Sequence, residues 1–321
     1  MDDKNYYKRK GYVSNSSISY FSKSIKLFKK FIDGEIEEES KSYFDFGQWT
    51  HLKILEEDEF NATIKVYDYI NPKSTQQRNF ITNALKYEKV ELFEDDAARL
   101  VQAYRDEYVT KESDEVVYKK AYKLFETYKT YYTYIQLAKI KTVISSNDFS
   151  NIKSIEVNLK NHKLANKLLW NDELDGLIAH NEYEIIWNWG KVPCKSLIDR
   201  LVIDHEKKIV YLVDFKTTSK LHDFNSSFYS FNYDRQLAFY EKAIRHDSFL
   251  LGINDEYRIE RYIVAADTKT FDCKVFYIKD EDITEAVEYL TKIMPEIEYH
   301  FENDLWEYSK EYYEGNGAES I

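Results

Sequence analysis

The stretch from Ser196 to Thr218 reads SLIDRLVIDHEKKIVYLVDFKTT, and the prediction of the fold starts from it. Two runs rich in β-branched and aromatic residues flank the polar tetrad HEKK, which is typical of two strands joined by a turn. If that turn is His205–Lys208, the register places Asp199 directly opposite Asp214, with Cβ atoms about 5 Å apart. A turn of odd length would break this register and turn Asp199 away.

The second strand of this hairpin carries Asp214 and Lys216 two residues apart, so both side chains point to one face. Facing carboxylates at Asp199 and Asp214 repel each other unless a divalent cation lies between them. Phosphodiester hydrolysis needs Mg²⁺ held by carboxylates and a cation near the attacking water, which a lysine supplies. The structural alternatives are a solvated strand edge and a buried ion pair between Asp214 and Lys216.

The remaining patterns predict a mainly helical N-terminal section over residues 1–169. Apolar residues recur every three or four positions from Ile18 to Ile32, which predicts one helix that ends at Gly34. A second helix is predicted to begin near Phe46 and to carry Gly47 and His51. Two longer helical patterns follow, at 91–109 and 115–140. The Tyr/Phe stripe of the last one has helical spacing, which indicates core and interface rather than a base-stacking platform.

Residues 170–321 are predicted to form the catalytic core. Strands are predicted at 183–189, 194–204, 208–218, 258–267 and 272–279, and helices at 233–246 and from about 282. The expected fold class is therefore α/β in the mixed, α+β sense, with a central mixed sheet flanked by helices and preceded by the helical section. The boundary near 170 is soft, and we expect one integrated domain.

The composition excludes several classes of function. A net charge of −12 argues against a broad basic DNA-coating surface, but it is compatible with an enzyme that holds Mg²⁺ in a carboxylate pocket. Cys194 and Cys273 alone cannot complete an iron–sulfur cluster or a four-thiolate zinc site. They fit a reducing compartment. No apolar run is long enough to span a membrane, so we expect a cytoplasmic protein, in the host cytoplasm if viral.

Five elements in order resemble the PD-(D/E)xK nuclease superfamily, in its RecB-like and RecE-like branch of exodeoxyribonuclease VIII-type phage exonucleases. The elements are SNSSISYFSKSIKLFKKFIDGE (14–35), FDFGQWTHLKILEEDEF (44–60), LIDRLVID (197–204), VDFKTTSK (213–220) and YDRQLAFYEKA (233–243). The resemblance runs from about Ser14 to Trp306. It implies a restriction-endonuclease-like core.

The resemblance also implies site residues. His51, in the Gly-x-x-x-His helix, contributes to the metal site, and the Phe215 carbonyl is an extra metal ligand beside Asp199 and Asp214. Gln236 and Tyr240, which share one helical face, orient the lysine and hold substrate phosphate. An acidic residue on the preceding strand is expected as well. Glu182 and Glu184 have the same strand parity, and Glu182 is preferred.

By the same resemblance, the chain is an Mg²⁺-dependent exonuclease in which Mn²⁺ can substitute. Lys216 positions or deprotonates the attacking water, and hydrolysis leaves a 5′-phosphate. Resection is 5′-to-3′ on duplex DNA, in phage-type recombination, by a trimeric or tetrameric ring that cooperates with a single-strand annealing protein. Two alternatives stay open: an endonuclease or single-strand-specific nuclease of the same fold, and a non-catalytic DNA-end-binding module.

Overall fold

The computed structural model of the chain describes residues 6–36, 42–88, 95–170, 177–315 and 317. The chain divides into two compact units. Unit 1 comprises Met1–Glu56 and Lys153–Ile321, and unit 2 is Glu57–Ile152. The sequence suggests a soft boundary near residue 170, whereas the helices of residues 15–55 and 163–170 belong to the same unit as the sheet.

Helices and strands are interspersed along the chain. The helices of the described part are α1 (Asn15–Phe21), α2 (Ile25–Ile32), α3 (Ser42–Leu55), α4 (Glu57–Thr63), α5 (Thr75–Tyr87), α6 (Asp96–Glu107), α7 (Asp114–Leu137), α8 (Ser146–Asn161), α9 (Lys163–Trp170), α10 (Phe224–Ser230), α11 (Tyr233–His246), α12 (Asp280–Asn303) and α13 (Lys310–Glu314). The strands there are β1 (Ile64–Val66), β2 (Thr142–Ile144), β3 (Leu177–Trp189), β4 (Val192–Asp204), β5 (Ile209–Thr218), β6 (Arg258–Asp267) and β7 (Cys273–Ile278).

Unit 1 is built on a five-stranded mixed sheet with the order β3-β4-β5-β6-β7. Neighbouring strands are antiparallel, except for β5 and β6, which are parallel. A parallel pair needs a crossover, and α10 and α11 provide it. The predicted mixed sheet with flanking helices and a helical N-terminal region is confirmed.

Helices cover both faces of the sheet because alternate residues of β5 point to opposite sides. Leu212 belongs to a large core formed with α1, α2, α11 and α12. Val213 and Phe215 belong to a second core, formed with the end of α3 and with α8 and α9. Helix α3 is therefore packed against the face of the sheet opposite to α11.

The prediction of one helix over residues 18–32 is wrong. The hydroxyl of Ser14 caps α1, which ends at Phe21. A new helix begins after Ser24, whose side chain accepts the N–H of Leu27. The serines offer side-chain hydrogen bonds that interrupt the backbone ladder, although the apolar spacing continues through them. Helix α3 begins at Ser42, earlier than the predicted start near Phe46.

Unit 2 consists of helices and one short parallel pair, β1 and β2. Helices α5, α6 and α7 share a core in which Tyr128 and Tyr132 of α7 are buried. Part of the Tyr/Phe stripe is therefore core, whereas Tyr122 of the same helix is 48% exposed. The segments predicted at 91–109 and 115–140 are α6 and α7, but residues 91–94 lie outside the described part.

Two further expectations concern the whole chain. Among the described residues, no helix is long and apolar enough to cross a membrane. Cys194 and Cys273 are free thiols, and Cys194 is buried.

Candidate active site

The hairpin of β4 and β5 sets the spacing of the acidic side chains. Its turn covers residues 205–208, and Arg200 pairs with Val213, which is the predicted register. Asp199 and Asp214 occupy the next pair of facing positions in this register. Oδ2 of Asp199 accepts the backbone N–H of Phe215 at 2.8 Å, so the Asp199 side chain is held at the point where the ladder ends.

Glu182 lies beside Asp199 on the other neighbouring strand. In β3 and β4, Asn181 pairs with Arg200 and Tyr183 pairs with Ile198, so Glu182 falls level with Asp199. Its φ of 49° is in the left-handed region, which is uncommon for a residue with a side chain. This local distortion interrupts the regular alternation of side chains along β3. Glu182 and Glu184 therefore do not have equivalent positions, although they are two residues apart.

The two glutamates proposed from the sequence therefore have different surroundings. Glu182 Oε1 lies 3.2 Å from Nδ1 of His51. Glu184 Oε1 instead forms an ion pair with Nε of Arg9 at 2.6 Å. Of the two, Glu182 is the one that contacts the other predicted site residues.

Helix α3 brings His51 to this edge of the strands. Nε2 of His51 lies 2.9 Å from Oδ2 of Asp199, so the ring bridges two carboxylates. One helical turn earlier, a Cβ atom at Gly47 would lie 3.0 Å from Oγ1 of Thr217. Glycine thus permits the close approach of α3 to β5. The end of α3 is tied to β3, because Asn181 Nδ2 donates to the Leu55 carbonyl at 2.6 Å.

The electrostatics of His51 follow from this position. Burial opposes the charged ring, but the carboxylates of Asp199 and Glu182 outweigh it and raise the pKa of His51 to about 10. The pKa of Asp199 is lowered in turn: burial opposes the shift, and His51 and Lys216 outweigh it. The carboxylates of the site thus favour positive charge next to them.

Asp214 and Lys216 form the second half of the site. Nζ of Lys216 lies 2.7 Å from Oδ2 of Asp214, and the Asp214 side chain is only 1% exposed. Burial is the main reason that the pKa of Asp214 is raised to about 6, with Lys216 opposing the shift and Asp199 adding to it. For Lys216, burial favours the neutral amine, but Asp214 and Asp199 outweigh it and raise the pKa.

Helix α11 places Gln236 and Tyr240 on one face, as predicted from their spacing. Gln236 Nε2 donates to the Tyr240 hydroxyl at 3.0 Å. Burial raises the pKa of Tyr240 well above its usual range, and Tyr6, Asp199 and Asp214 raise it further. This phenol therefore faces the carboxylates of the hairpin as a neutral group.

Two residues in or next to the site were not proposed from the sequence. Tyr233, one turn before Gln236 on α11, places its ring centroid 5.0 Å from Nζ of Lys216. Arg200 is buried, and it donates to Oδ1 of Asn181 and to the carbonyl of Leu168. The pairing of Arg200 could have been predicted from the sequence, because an arginine buried in an apolar strand needs hydrogen-bond partners.

The residues present fit a divalent metal ion. His51, Glu182 and Asp199 each offer a ligand atom, and these atoms lie within 4.8 Å of one another. Within the described ranges, Glu182 Oε1 and both carboxylate oxygens of Asp214 are buried without an aligned hydrogen bond, although each residue has an ion-pair contact. Such oxygens are costly to bury unless something compensates them. Carboxylate oxygens and an imidazole nitrogen are both donors that bind divalent metal ions in proteins.

Comparison with known proteins identifies a fold but no family. No protein-family model and no curated protein matches the sequence. The crystal structure of a "Putative exonuclease" from Eubacterium rectale matches 97% of this chain and 90% of its own, with a TM-score of 0.51 and 13% identity. A second structure, SSO0001, covers 69% of this chain and 87% of its own at 12% identity. Its TM-score of 0.23 is too low to indicate a shared fold. At 13% identity, what the chain shares with the E. rectale protein is the fold.

Proposed function

We propose that this chain is an Mg²⁺-dependent exonuclease that hydrolyses phosphodiester bonds from DNA ends. One observation carries the proposal. Three carboxylates from three neighbouring strands, Glu182, Asp199 and Asp214, lie next to His51 or Lys216, and the buried oxygens of Glu182 and Asp214 have ion-pair contacts but no aligned hydrogen bond. The fold shared with the E. rectale protein supports the same activity.

We assign the metal ligands to His51, Glu182, Asp199 and Asp214, with the Phe215 carbonyl as a further predicted ligand. A divalent cation held there would supply the Lewis acidity and the positive charge that attack of water on a phosphodiester requires. Mn²⁺ is expected to replace Mg²⁺, because carboxylate and carbonyl oxygens suit both ions. The Phe215 N–H already orients Asp199, which fixes one carboxylate before any ion binds.

Lys216 supplies the fixed positive charge. Its ammonium, next to Asp214 and over the Tyr233 ring, is placed to orient the attacking water and to stabilise charge that develops on the phosphate. Gln236 and Tyr240 form a hydrogen-bonded pair on α11, and we assign to them the positioning of Lys216 and of the substrate phosphate. Water adds to phosphorus as the P–O3′ bond breaks, and the product keeps a 5′-phosphate.

The finer assignments rest on the resemblance in sequence. They place the chain in the RecB-like and RecE-like branch of the PD-(D/E)xK superfamily, with 5′-to-3′ digestion of duplex DNA in phage-type recombination. They also include a trimeric or tetrameric ring and a single-strand annealing protein as partner. The order of His51, Asp199, Asp214, Lys216 and Gln236 along the chain supports this assignment.

The decisive experiment is release of nucleotides from end-labelled linear DNA with Mg²⁺. Lys216→Ala is expected to abolish release while the protein stays folded, which circular dichroism checks, although loss of the buried ion pair with Asp214 changes its melting temperature. Lys220→Ala, an exposed lysine on the segment that follows β5, is the matched control and should digest normally. Covalently closed circular DNA should stay intact. Equal digestion by wild type and Lys216→Ala would overturn the catalytic role of Lys216. Cleavage of the circular DNA would show that the protein is an endonuclease and not an exonuclease.

A further inference from the structure

A series of aromatic rings leads from the core of unit 1 to its surface. The ring of Phe276 stacks on Phe224, with centroids 4.7 Å apart and an interplanar angle of 14°. Phe224 lies next to Tyr233, at 6.0 Å, and Tyr233 lies next to Phe231, at 5.8 Å. Phe224 is 3% exposed, whereas Phe231 is 64% exposed. The series therefore ends in a ring that has an open side.

This open ring adjoins the candidate active site. The Tyr233 ring, which contacts Phe231, also lies 5.0 Å below Nζ of Lys216. Phe231 is thus one ring away from the catalytic lysine.

The position of Phe231 is fixed by the local backbone. Its N–H donates to the Ser227 carbonyl at the end of α10. Asn232 follows in the left-handed region, with φ of 55°, and α11 begins immediately after it. Asparagine tolerates this conformation better than most residues do. The ring is held outward by a defined turn between two helices.

We propose that Phe231 is a stacking site for the base of a nucleotide next to the scissile phosphate. The proposal rests on the proposed nuclease function and deepens it. A phosphate bound at Lys216 brings the adjoining nucleotides within reach of the next ring, and every base has a face that can stack on it. A base inside a duplex has both faces covered by its neighbours, so a base that stacks on Phe231 either has left the duplex stack or is the terminal base. We infer that the bound DNA end is single-stranded or frayed at the nucleotide that contacts Phe231.

The protein side of the test compares three variants. Base–aromatic stacking corresponds to a loss of about 5- to 150-fold in affinity on substitution by alanine. Phe231→Ala is expected to raise KM for DNA ends in that range and to change kcat little, while Phe231→Trp keeps KM near wild type. Phe249→Ala is the matched control, because Phe249 is 92% exposed and follows the far end of α11.

The DNA side of the test removes the base instead of the ring. Substrates with one abasic nucleotide, placed in turn at each of the terminal positions, are digested by wild type and by Phe231→Ala. At one position, the abasic nucleotide should weaken binding to wild type but not to Phe231→Ala, because the two changes remove the same contact. Terminal mismatches should lower KM of wild type more than that of the variant.

The outcomes separate the inference from the function on which it rests. If wild type digests DNA and Phe231→Ala behaves as Phe249→Ala does, or if no position shows the coupling, the stacking site is overturned and the nuclease stands. A change in oligomeric state of Phe231→Ala, measured by light scattering, with unchanged KM would assign the ring to a subunit contact and overturn the proposal. If wild type neither binds nor digests DNA, both proposals fall.

Discussion

Nε2 of His51 lies 2.9 Å from Oδ2 of Asp199, although the histidine belongs to a helix near the start of the chain and the aspartate to a strand in its second half. The same ring reaches Glu182 through Nδ1. This histidine connects α3 to two strands of the sheet. Its contribution to metal binding can be measured independently of hydrolysis.

His51→Ala is expected to lower the affinity for Mn²⁺ at least about 100-fold, since loss of even an outer-shell partner costs about 10- to 100-fold. Isothermal titration calorimetry measures this directly. A metal concentration of 100 times Kd should stabilise wild type by about 2.7 kcal/mol, and chelation should reverse the gain. His222→Ala, at an exposed histidine, is the control. Equal Mn²⁺ affinity of both variants would remove His51 from the metal site.

Glu182→Gln and Glu184→Gln form a matched pair on one strand. Glu182→Gln keeps the shape of the side chain but removes a charge next to His51 and Asp199, so we expect at least about a tenfold loss of Mn²⁺ affinity. Glu184→Gln breaks only a partly exposed ion pair with Arg9, which contributes about 0–1 kcal/mol. Its activity should stay near wild type. The opposite ranking of the two variants in Mn²⁺ titration would exchange their assigned roles.

Gly47→Ala tests the close approach of α3 to β5. Alanine favours the helix, but its Cβ would lie 3.0 Å from Oγ1 of Thr217, so either this side chain gives way by a few tenths of an ångström or the helix shifts. We expect the helix to shift. A shift of a few tenths of an ångström at His51 should lower nuclease activity about tenfold, because a 1 Å misplacement can cost about 100-fold.

The rescue experiment for Gly47→Ala uses the atom that it would meet. Thr217→Ala removes Oγ1, and the double variant should recover most of the activity. Thr217→Ala alone should be close to wild type in the same assay. If the double variant is no better than Gly47→Ala, steric contact with Thr217 is not the reason for the glycine.

Asp267 gives a prediction about pH. Its carboxylate accepts the backbone N–H groups of Lys269, Thr270 and Leu221. Burial opposes the shift, but these hydrogen bonds lower the pKa of Asp267. A lowered folded-state pKa stabilises the protein above the unfolded value of about 3.9, and this stabilisation is lost as the pH falls through the folded pKa.

Asp267→Asn should therefore lower the free energy of unfolding by about 2 kcal/mol at pH 7, because hydrogen bonds to a charged acceptor are lost. The difference from wild type should shrink at pH 3 and below. Urea unfolding at several pH values measures it, with the exposed Asp272→Asn as control. A difference that is constant with pH would show that the charge of Asp267 does not contribute.

Much of the fold could be predicted because hydrophobic period and turn chemistry are local. Each predicted strand of the second half coincides with an observed strand to within a few residues at the ends, except for β3, which begins at Leu177. The register of the hairpin followed from an even-length turn. The break between α1 and α2 was missed because the apolar spacing continues from Phe21 to Ile25, although the hydrogen-bond ladder of α1 ends at Phe21 and Ser24 caps a new helix.

The candidate site was predictable only in part. Spacing alone placed Lys216 beside Asp214, and it placed Gln236 one turn before Tyr240. The left-handed backbone at Glu182 has no local signature, because glutamate rarely adopts it, so parity could not separate Glu182 from Glu184. The contact of Tyr233 with Lys216 depends on how α11 crosses the sheet, which no local pattern contains.

The division of the chain has a consequence for folding. Unit 1 is discontinuous in sequence, since Glu57–Ile152 separates the helix that carries His51 from all five strands of the sheet. The entropy of closing so long a loop must be overcome before His51 can reach Asp199. The strands β4 and β5 pair locally, so we expect the hairpin early in refolding and high-affinity metal binding only in the last phase. A fragment that begins at Lys153 would lack His51. Adding the N-terminal peptide in trans would restore this imidazole to the site.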